Sequence, residues 1–362
     1  MSDESTPDTV RDVSSLRFRP MERTDEDLLL FQQAFTENNS PRSLELLRWQ
    51  YFEPPAGPLY VDFAVANEDK QYLAAIYAVF PVVMRIKGTR QIGVQSLNTL
   101  TDVRYRGKGL FIRLAKSVYE RCAREGVAVV YGFPNGNSAH GFFQKLEWQS
   151  YDPMPILIRP LRLGYIVSRL SRGKINLPKA LDLPLPRPRA ALPDGWTLRT
   201  ITDFGPEFDE LWRRFSEGIG FAVERNSEYL RWRLRRPGAS YETRALFDGS
   251  VLIGYAITGN QHGEGGRVME LIYDPQHPRA GTILLSDAMR RLSAAGCGVV
   301  WAWNYEHSSN HKDFVAARFI QLPKRFNIED LHSGGRSFST PPQPEAAERK
   351  QWYVSGLDSD TT

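Results

Sequence analysis

Residues 103–125 read VRYRGKGLFIRLAKSVYERCARE, and the fold turns on them. A largely apolar, alternating run, Ile92–Val103, leads in. Arg104-Tyr105-Arg106-Gly107-Lys108-Gly109 follows, and then a helix in which Leu110, Leu114, Val118 and Cys122 recur at helical spacing. The order is strand, basic glycine turn, helix. Glycines let backbone N–H groups converge with no side chain in the way, and the start of a helix adds positive potential. Arg104, Arg106 and Lys108 bring formal charge to the same place. This is a seat for phosphate.

Working outward toward the N-terminus, Tyr60–Val65, Tyr72–Ile86 and Gln91–Val103 read as successive strands. Asn67-Glu68-Asp69 and Lys87-Gly88 are the turns between them. Pro81, inside AVFPVVM, must lie at a bulge or an edge, because it cannot donate to a ladder. Upstream are a short strand at Leu16–Arg19 and two helices, Thr24–Phe35 and Ser43–Tyr51, the first with Asp25, Glu26 and Asp27 at its start. Met1–Ser14 is polar and expected to be disordered. Downstream, Val127–Tyr131 is a compact buried strand, opened by Gly132–Asn137 and followed by a helix over Ser138–Leu146 and another strand reaching Ile156–Ile158. The helix from Leu110 supplies the crossover that parallel neighbours need. The expected fold class is mixed α/β, an antiparallel meander handing over to a parallel pair, with helices on both faces.

Ile166–Pro193 differs in character. It is basic and proline-rich, and reads as a linker or surface strap. After it the first half repeats faintly at an offset near ~180 residues. Glu228-Tyr229-Leu230-Arg231-Trp232-Arg233 answers Glu45-Leu46-Leu47-Arg48-Trp49-Gln50, and the order of strands and helices then matches through Cys297–Trp303. The expected division is therefore 15–160, a linker 161–194, and a second copy 195–357. The copy's turn, Asp274–Gly281, has lost the glycine pattern, and Pro275 and Pro278 remove donors. This copy is not expected to bind the same anion. Near the C-terminus Ser337–Lys350 is expected to be loose, Trp352–Val354 to form a last strand, and the final residues to fray.

With 362 residues, two cores are the expectation. The net charge is +4, a mild bias that suits an anionic small ligand and does not argue for nucleic acid. Arg231–Arg236 (RWRLRR) is basic, but on a helix these residues spread around several faces. Cys122 and Cys297 read as buried thiols in a reducing cytoplasm. The six histidines follow no metal-ligand spacing, so no metal is expected. No run is long and apolar enough for a membrane span.

Arg104-x-x-Gly107-x-Gly109 is similar to the acyl-CoA pyrophosphate signature of the GCN5-related N-acetyltransferase (GNAT) superfamily, and the flanking strand and helix match as well. The chain resembles that superfamily in tandem, with the first copy over about Leu16–Ile158. The stretch YGFPNGNSAHGFFQKLEW, from Tyr131 to Trp148, also looks like a branch associated with bacterial surface-polysaccharide and amino-sugar pathways. Tandem copies occur too in peptidoglycan aminoacyl transferases and in N-myristoyltransferases, so duplication does not name a substrate.

The resemblance implies acetyl-CoA or another acyl-CoA as co-substrate, lying where strands four and five splay. Leu100, Thr101 and Val103 would flank the donor, and amides from Tyr105 through Arg106, Gly107, Lys108 and Gly109 to Leu110 would hold the pyrophosphate. Asn137 and Phe143 would complete the donor site. A small-molecule amine would attack the thioester, its oxyanion held by a strand-four N–H. Many members use a tyrosine where this chain has Phe143. Tyr131, His140 and Asn135 are the substitutes, since strand four offers Gln95, Ser96, Asn98, Thr99 and Thr101 but no acid before Asp102. Glu270 of the second copy is a further acid considered as base. The acceptor expected is an amino sugar or nucleotide-linked amino sugar. The alternatives are a tRNA-dependent aminoacyl transferase, disfavoured by the modest charge, and a non-catalytic CoA-binding protein.

Overall fold

The computed structural model describes residues 13–67, 71–154, 156–178, 180–187, 189–260, 265–322, 331–339 and 343–358. Nearly all of Met1–Ser14, the turn residues Glu68 and Asp69, and the last four residues lie outside the described set. The chain forms two compact units: Met1–Met84, Arg90–Tyr151 and Leu331–Ala347 make the first, and Arg85–Thr89, Asp152–Asp330 and Glu348–Thr362 the second.

The first unit begins with β1 (Arg17–Pro20), α1 (Asp25–Glu37) and α2 (Leu44–Tyr51). Both helices start where the sequence supplies a cap. The Thr24 side chain accepts from the Asp27 amide, and Ser43 from the Leu46 amide. Then come β2 (Tyr60–Asn67), β3 (Gln71–Ile86), β4 (Thr89–Thr101), α3 (Leu110–Arg124), β5 (Val129–Gly132), α4 (Gly136–His140) and β6 (Gln149–Ser150). The Leu110, Leu114, Val118 and Cys122 face of α3 is buried against Tyr77, Val94 and Val130 of the sheet. Full burial of a Leu or Val side chain contributes about 1.5–3 kcal/mol, so this stripe fixes the helix on the sheet. Burial pushes the Cys122 thiol up to about 12, which leaves it a packing group. Pro81 lies beyond Tyr60↔Val79, the last pair β3 makes with β2, where no β2 partner needs its missing donor.

The second unit contains β7 (Ile156–Pro160), α5 (Leu163–Leu170), β8 (Trp196–Ile201), α6 (Pro206–Phe215), β9 (Phe221–Val223), α7 (Ser227–Arg233), β10 (Tyr241–Asp248), β11 (Val251–Asn260), β12 (Gly265–Tyr273), α8 (Ala280–Ala294), β13 (Val299–Trp303), α9 (His311–Ala316) and β14 (Ile320–Gln321). From β8 onward its helices and strands repeat those of the first unit in order, with β9 inserted between α6 and α7. Trp49 and Trp232 are both buried, as repeated anchors should be. The final strand, β15 (Gly334–Ser337), belongs to the first unit.

Strand order shows what the sequence reading missed. The first sheet runs β1-β2-β3-β4-β5-β15-β6, and the second β14-β7-β13-β12-β11-β10-β8. In each, the strand beside the short parallel arm comes from a distant part of the chain. Ile156–Ile158, expected to close the first domain, instead pairs with β13 and β14 of the second sheet. Its counterpart β15 pairs with β5 and β6 of the first. A strand's alternation encodes which face is buried but not which sheet it joins, so the exchange has no local signal.

Two other expectations change. The strap 161–194 opens with a helix, α5. Trp352–Val354 is not a strand: it makes one bridge, Phe221↔Trp352, between 3-10 turns at Arg349–Gln351 and Gly356–Asp358. Polar bonds hold this segment in place of a ladder. Arg225 is fully buried, and pairs with Glu270 on β12 (2.7 Å) and with Asp358 (2.6 Å). The Tyr353 hydroxyl (2.5 Å) and the Ser355 hydroxyl (2.8 Å) also donate to Glu270.

Candidate functional site: a forked sheet and an open helix start

In the first unit β4 and β5 pair in parallel from Gly93↔Val129 to Ser96↔Gly132, and there the pairing ends. β4 continues to Thr101, while the chain after Gly132 turns away into Phe133-Pro134-Asn135. The strands therefore fork. Gly132 sits at the apex, where a Cβ would lie 2.9 Å from the Ser96 carbonyl oxygen.

The free run of β4 is held from α1 and α2. Asn98 has φ +49°, a left-handed conformation unusual for a residue with a side chain. Its amide group donates to Gln50 Oε1 (2.8 Å) and the Tyr51 hydroxyl (3.1 Å), both on α2. A non-glycine residue in this region, clamped by two buried partners, re-aims the backbone of the strand at the fork. Asp102 ends the run. It caps the following 3-10 turn through the Arg104 amide (2.9 Å) and accepts from Asn38, the C-cap of α1 (3.3 Å).

Beyond it lies the basic turn. Gly107 (φ +76°) and Gly109 (φ +73°) are both left-handed, and a Cβ on either would meet nothing within 4 Å. Gly109 occupies the N-cap position of α3 and has no side chain to offer. Among the described residues, no protein acceptor takes the amides from Lys108 to Ile112. A helix start with uncapped donors, opening through two left-handed glycines onto clear space, is a receptor for an anion. Arg106 and Lys108 are exposed beside it. Arg104 is otherwise engaged: its guanidinium forms a two-pronged pair with Asp102 (2.8 Å each) and lies over the Tyr72 ring. It braces the turn.

The remaining candidates are spread over the free run of β4, the turn, the start of α3 and the β5 side. Leu100 and Thr101 are half-buried on the free run, Val103 is exposed, and Tyr105 and Leu110 are buried. Tyr131 is buried before the fork and donates to Gln95 Oε1 (3.2 Å), its cross-strand partner. Asn135 caps α4 by accepting from the Ser138 amide (3.2 Å). Asn137 and His140 are exposed on α4. That helix continues as a wide turn over Gly141–Lys145, with the Leu146 amide bonding back to Gly141. A Cβ at Gly141 would stand 2.5 Å from Phe111 in the first turn of α3, so this glycine lets α4 pack against the anion-facing helix. Tyr77 of β3 bonds to Ser96 at the apex (3.0 Å) and to Tyr119 (2.7 Å), and burial holds its phenol far above the ordinary value, so it stays protonated.

Phe143 is half-buried, and its ring meets the edge of His332 at 6.0 Å between centroids. The His332 amide donates to the Pro134 carbonyl (2.9 Å), and Leu331 bridges Asn135. An imidazole thus stands beside the position that lacks a tyrosine. Sequence reasoning missed it, because only the pairing of β15 with β5 brings it there.

The second unit has the same fork in closed form. β12 and β13 pair from Gly265↔Val299 to Val268↔Ala302, and β12 runs on to Tyr273. The C-terminal segment lies against that run: a Cβ on Gly356 would sit 3.1 Å from the Met269 Cα. At the start of α8 the place of an anion is taken by Asp313 of α9. Its carboxylate accepts from Tyr273 (2.6 Å) and Thr282 (2.8 Å), and a Cβ on Gly281 would fall 2.5 Å from it. Glu270 is consumed by Arg225, Tyr353 and Ser355. Two arginines of the RWRLRR stretch are engaged internally: Arg231 pairs with Asp203 (3.1 Å), and Arg233 is buried against the Leu357 carbonyl (2.9 Å). Among the described residues no group of three or more His, Cys, Asp or Glu is placed to hold a metal.

Comparison with known proteins bears on the family of the first unit and on the fold. Residues 17–150 match the family described as acetyltransferase (GNAT) domain. No curated protein matches the chain. Among solved structures it is similar to Saccharomyces cerevisiae N-myristoyltransferase with bound myristoyl-CoA, with TM-score 0.60 and 14% identity over 92% of this chain and 86% of that one. It is similar to a GCN5-related N-acetyltransferase from Anabaena variabilis, with TM-score 0.61 and 12% identity over 90% and 74%. It is also similar to a tandem GNAT protein from the clavulanic acid biosynthesis pathway, with TM-score 0.53 and 14% identity over 90% and 99%. Residues 17–150 thus match the acetyltransferase (GNAT) domain family, and the chain as a whole has the fold of tandem GNAT proteins.

Proposed function

We propose that the first unit binds one acyl-CoA, with its pyrophosphate on the amides of Lys108–Ile112 and its thioester in the fork between Ser96–Thr101 and Gly132–Asn135. The acyl group passes to the primary amine of a small molecule. The amine nitrogen bonds to the thioester carbon, the carbon–sulfur bond breaks, and the thiolate leaves to take up a proton. A β4 amide re-aimed at Asn98 holds the oxyanion. The ammonium proton goes through water to His332, which we assign as the base because it is half-buried beside Phe143, whereas His140 lies out in solvent. The acceptor we favour is an amino sugar or nucleotide-linked amino sugar, on the resemblance of Tyr131–Trp148. The second unit does not take CoA.

One observation carries this reading. The amides at the start of α3 are uncapped and open, while the equivalent helix start in the second unit is covered by Asp313. Titration calorimetry with CoA tests it, and should give one site per chain. Thiol release from acetyl-CoA with a panel of amino sugars then tests the transfer, and His332→Gln should lower kcat with little change in KM for acetyl-CoA. Two CoA sites per chain, or none, would overturn the assignment.

A further inference from the structure

The segment from Arg162 to Arg189 holds seven Lys and Arg against one acid, Asp182. Its net charge is +6 where the whole chain carries +4, so the rest of the molecule is left at −2. The same segment is rich in large apolar side chains. α5 contains Leu163, Tyr165, Ile166, Val167 and Leu170, yet none of its residues is buried. Leu170 is 81% exposed, Ile175 53%, Leu181 59% and Leu183 59%. Exposed large apolar residues elsewhere, such as Leu29, Val251 and Val315, stand singly, whereas here they cluster in one segment, and helices this apolar occupy cores.

The segment is nonetheless built, with a closed base. The Leu163 amide donates to the Leu183 carbonyl (2.9 Å), and the Leu185 amide to the Leu161 carbonyl (2.8 Å). Asp182 accepts from the Gly164 amide (2.7 Å) at the start of α5 and pairs with Arg162 (2.5 Å). The one acid is thereby spent at the base. Among the described residues, Arg169, Arg172, Lys174, Arg187 and Arg189 form no ion pair. An ordered loop therefore presents unpaired cations and exposed leucines together.

We infer that this face docks the protein on the surface of an anionic lipid membrane, with Leu170, Ile175, Leu181 and Leu183 entering the boundary of the acyl chains and the arginines and lysine at headgroup phosphates. The complementarity is of both kinds at once. A lipid surface satisfies exposed Leu and Ile and unpaired cations together. Nucleic acid would reward aromatic faces for stacking, and the exposed large side chains here are aliphatic. An acidic protein would use the charges and leave the leucines in water. The docking is peripheral: no helix of the described residues is long and apolar enough to cross a membrane.

The test is sedimentation of the full chain with vesicles of phosphatidylcholine alone or mixed with phosphatidylglycerol. The wild type should pellet with the anionic vesicles, stay in solution with phosphatidylcholine alone, and come off as salt rises. Arg169→Glu/Arg172→Glu/Lys174→Glu should weaken binding by at least ~100-fold, from about 1 kcal/mol per cation. Leu170→Ser/Ile175→Ser should also lose it. Both variants alter exposed residues, so circular dichroism and CoA binding should stay those of the wild type. A wild type that ignores anionic vesicles overturns the proposal. So does a serine variant that pellets as well as the wild type, or capture by an acidic peptide without any binding to vesicles.

Discussion

Replacing Gly109 by alanine isolates the feature on which the donor site depends. The residue has φ +73° and ψ 9°, and an added Cβ would touch nothing within 4 Å. The penalty is therefore conformational. An L-residue in the left-handed region costs roughly 1–2 kcal/mol. If the turn keeps its shape, that cost appears as lost stability, about 2–4 °C in melting midpoint per kcal/mol for a unit of this size. If the turn relaxes, the amides of Lys108–Ile112 no longer converge, and CoA affinity falls by the fraction of molecules still in the competent shape, about 5–30-fold. Gly107→Ala should behave alike, since Gly107 has φ +76° and equally open surroundings. Gly109→Asn is the control, because asparagine tolerates this region and should lose less. Calorimetry with CoA and melting with and without CoA separate the two routes. If both alanine variants bound CoA as the wild type does and melted at the wild-type midpoint, the account of this turn as a conformationally constrained anion seat would be refuted.

Arg225→Met should cost about 3–5 kcal/mol in denaturant unfolding, because Glu270 and Asp358 would be left buried without their cation; a loss below ~1 kcal/mol would mean the C-terminal segment is held by packing alone. Asn98→Ala gives up a left-handed conformation and two bonds to α2, so kcat should fall at least ~10-fold with KM for acetyl-CoA little changed. Asn98→Gly, which keeps the conformation without the clamp, should lie between. Burial works to raise the Asp102 carboxyl, but bonds from the Arg104 side chain and amide outweigh it and hold the group below its ordinary value of 3.8. A lowered carboxyl stabilises the fold above that value and stops doing so as pH falls through the folded one. The stability difference between wild type and Asp102→Asn should thus be full at neutral pH and vanish in acid, as read from unfolding midpoints across that range; a constant difference would contradict it.

Local chemistry made much of the first unit legible. The period of Leu110, Leu114, Val118 and Cys122 marks the buried face of α3, and the glycines at 107 and 109 mark a backbone that must turn left-handed. The two helices beginning near Thr24 and Ser43 and the repeated Leu-Arg-Trp were equally readable. At the site, the turn stood out, but the role of Arg104 did not: its charge invited a phosphate, while Asp102, two residues before it, takes the guanidinium. Spacing cannot show which of several cations an internal acid will claim.

The chain's own order of residues therefore determined the elements, the duplication, the helix-start turn and the loss of that turn in the second copy. The tertiary structure alone decided that β7 and β15 trade sheets, that His332 reaches Phe143, that Asp313 stands where the first unit leaves room for an anion, and that Trp352–Asp358 lies along β12. Hydrophobic period and turn chemistry are properties of neighbouring residues, and so they can be read along the chain. The choice of partner for a strand, an acid or a terminal segment is a competition among surfaces that are often far apart in the chain, and it is settled only when all of them are packed.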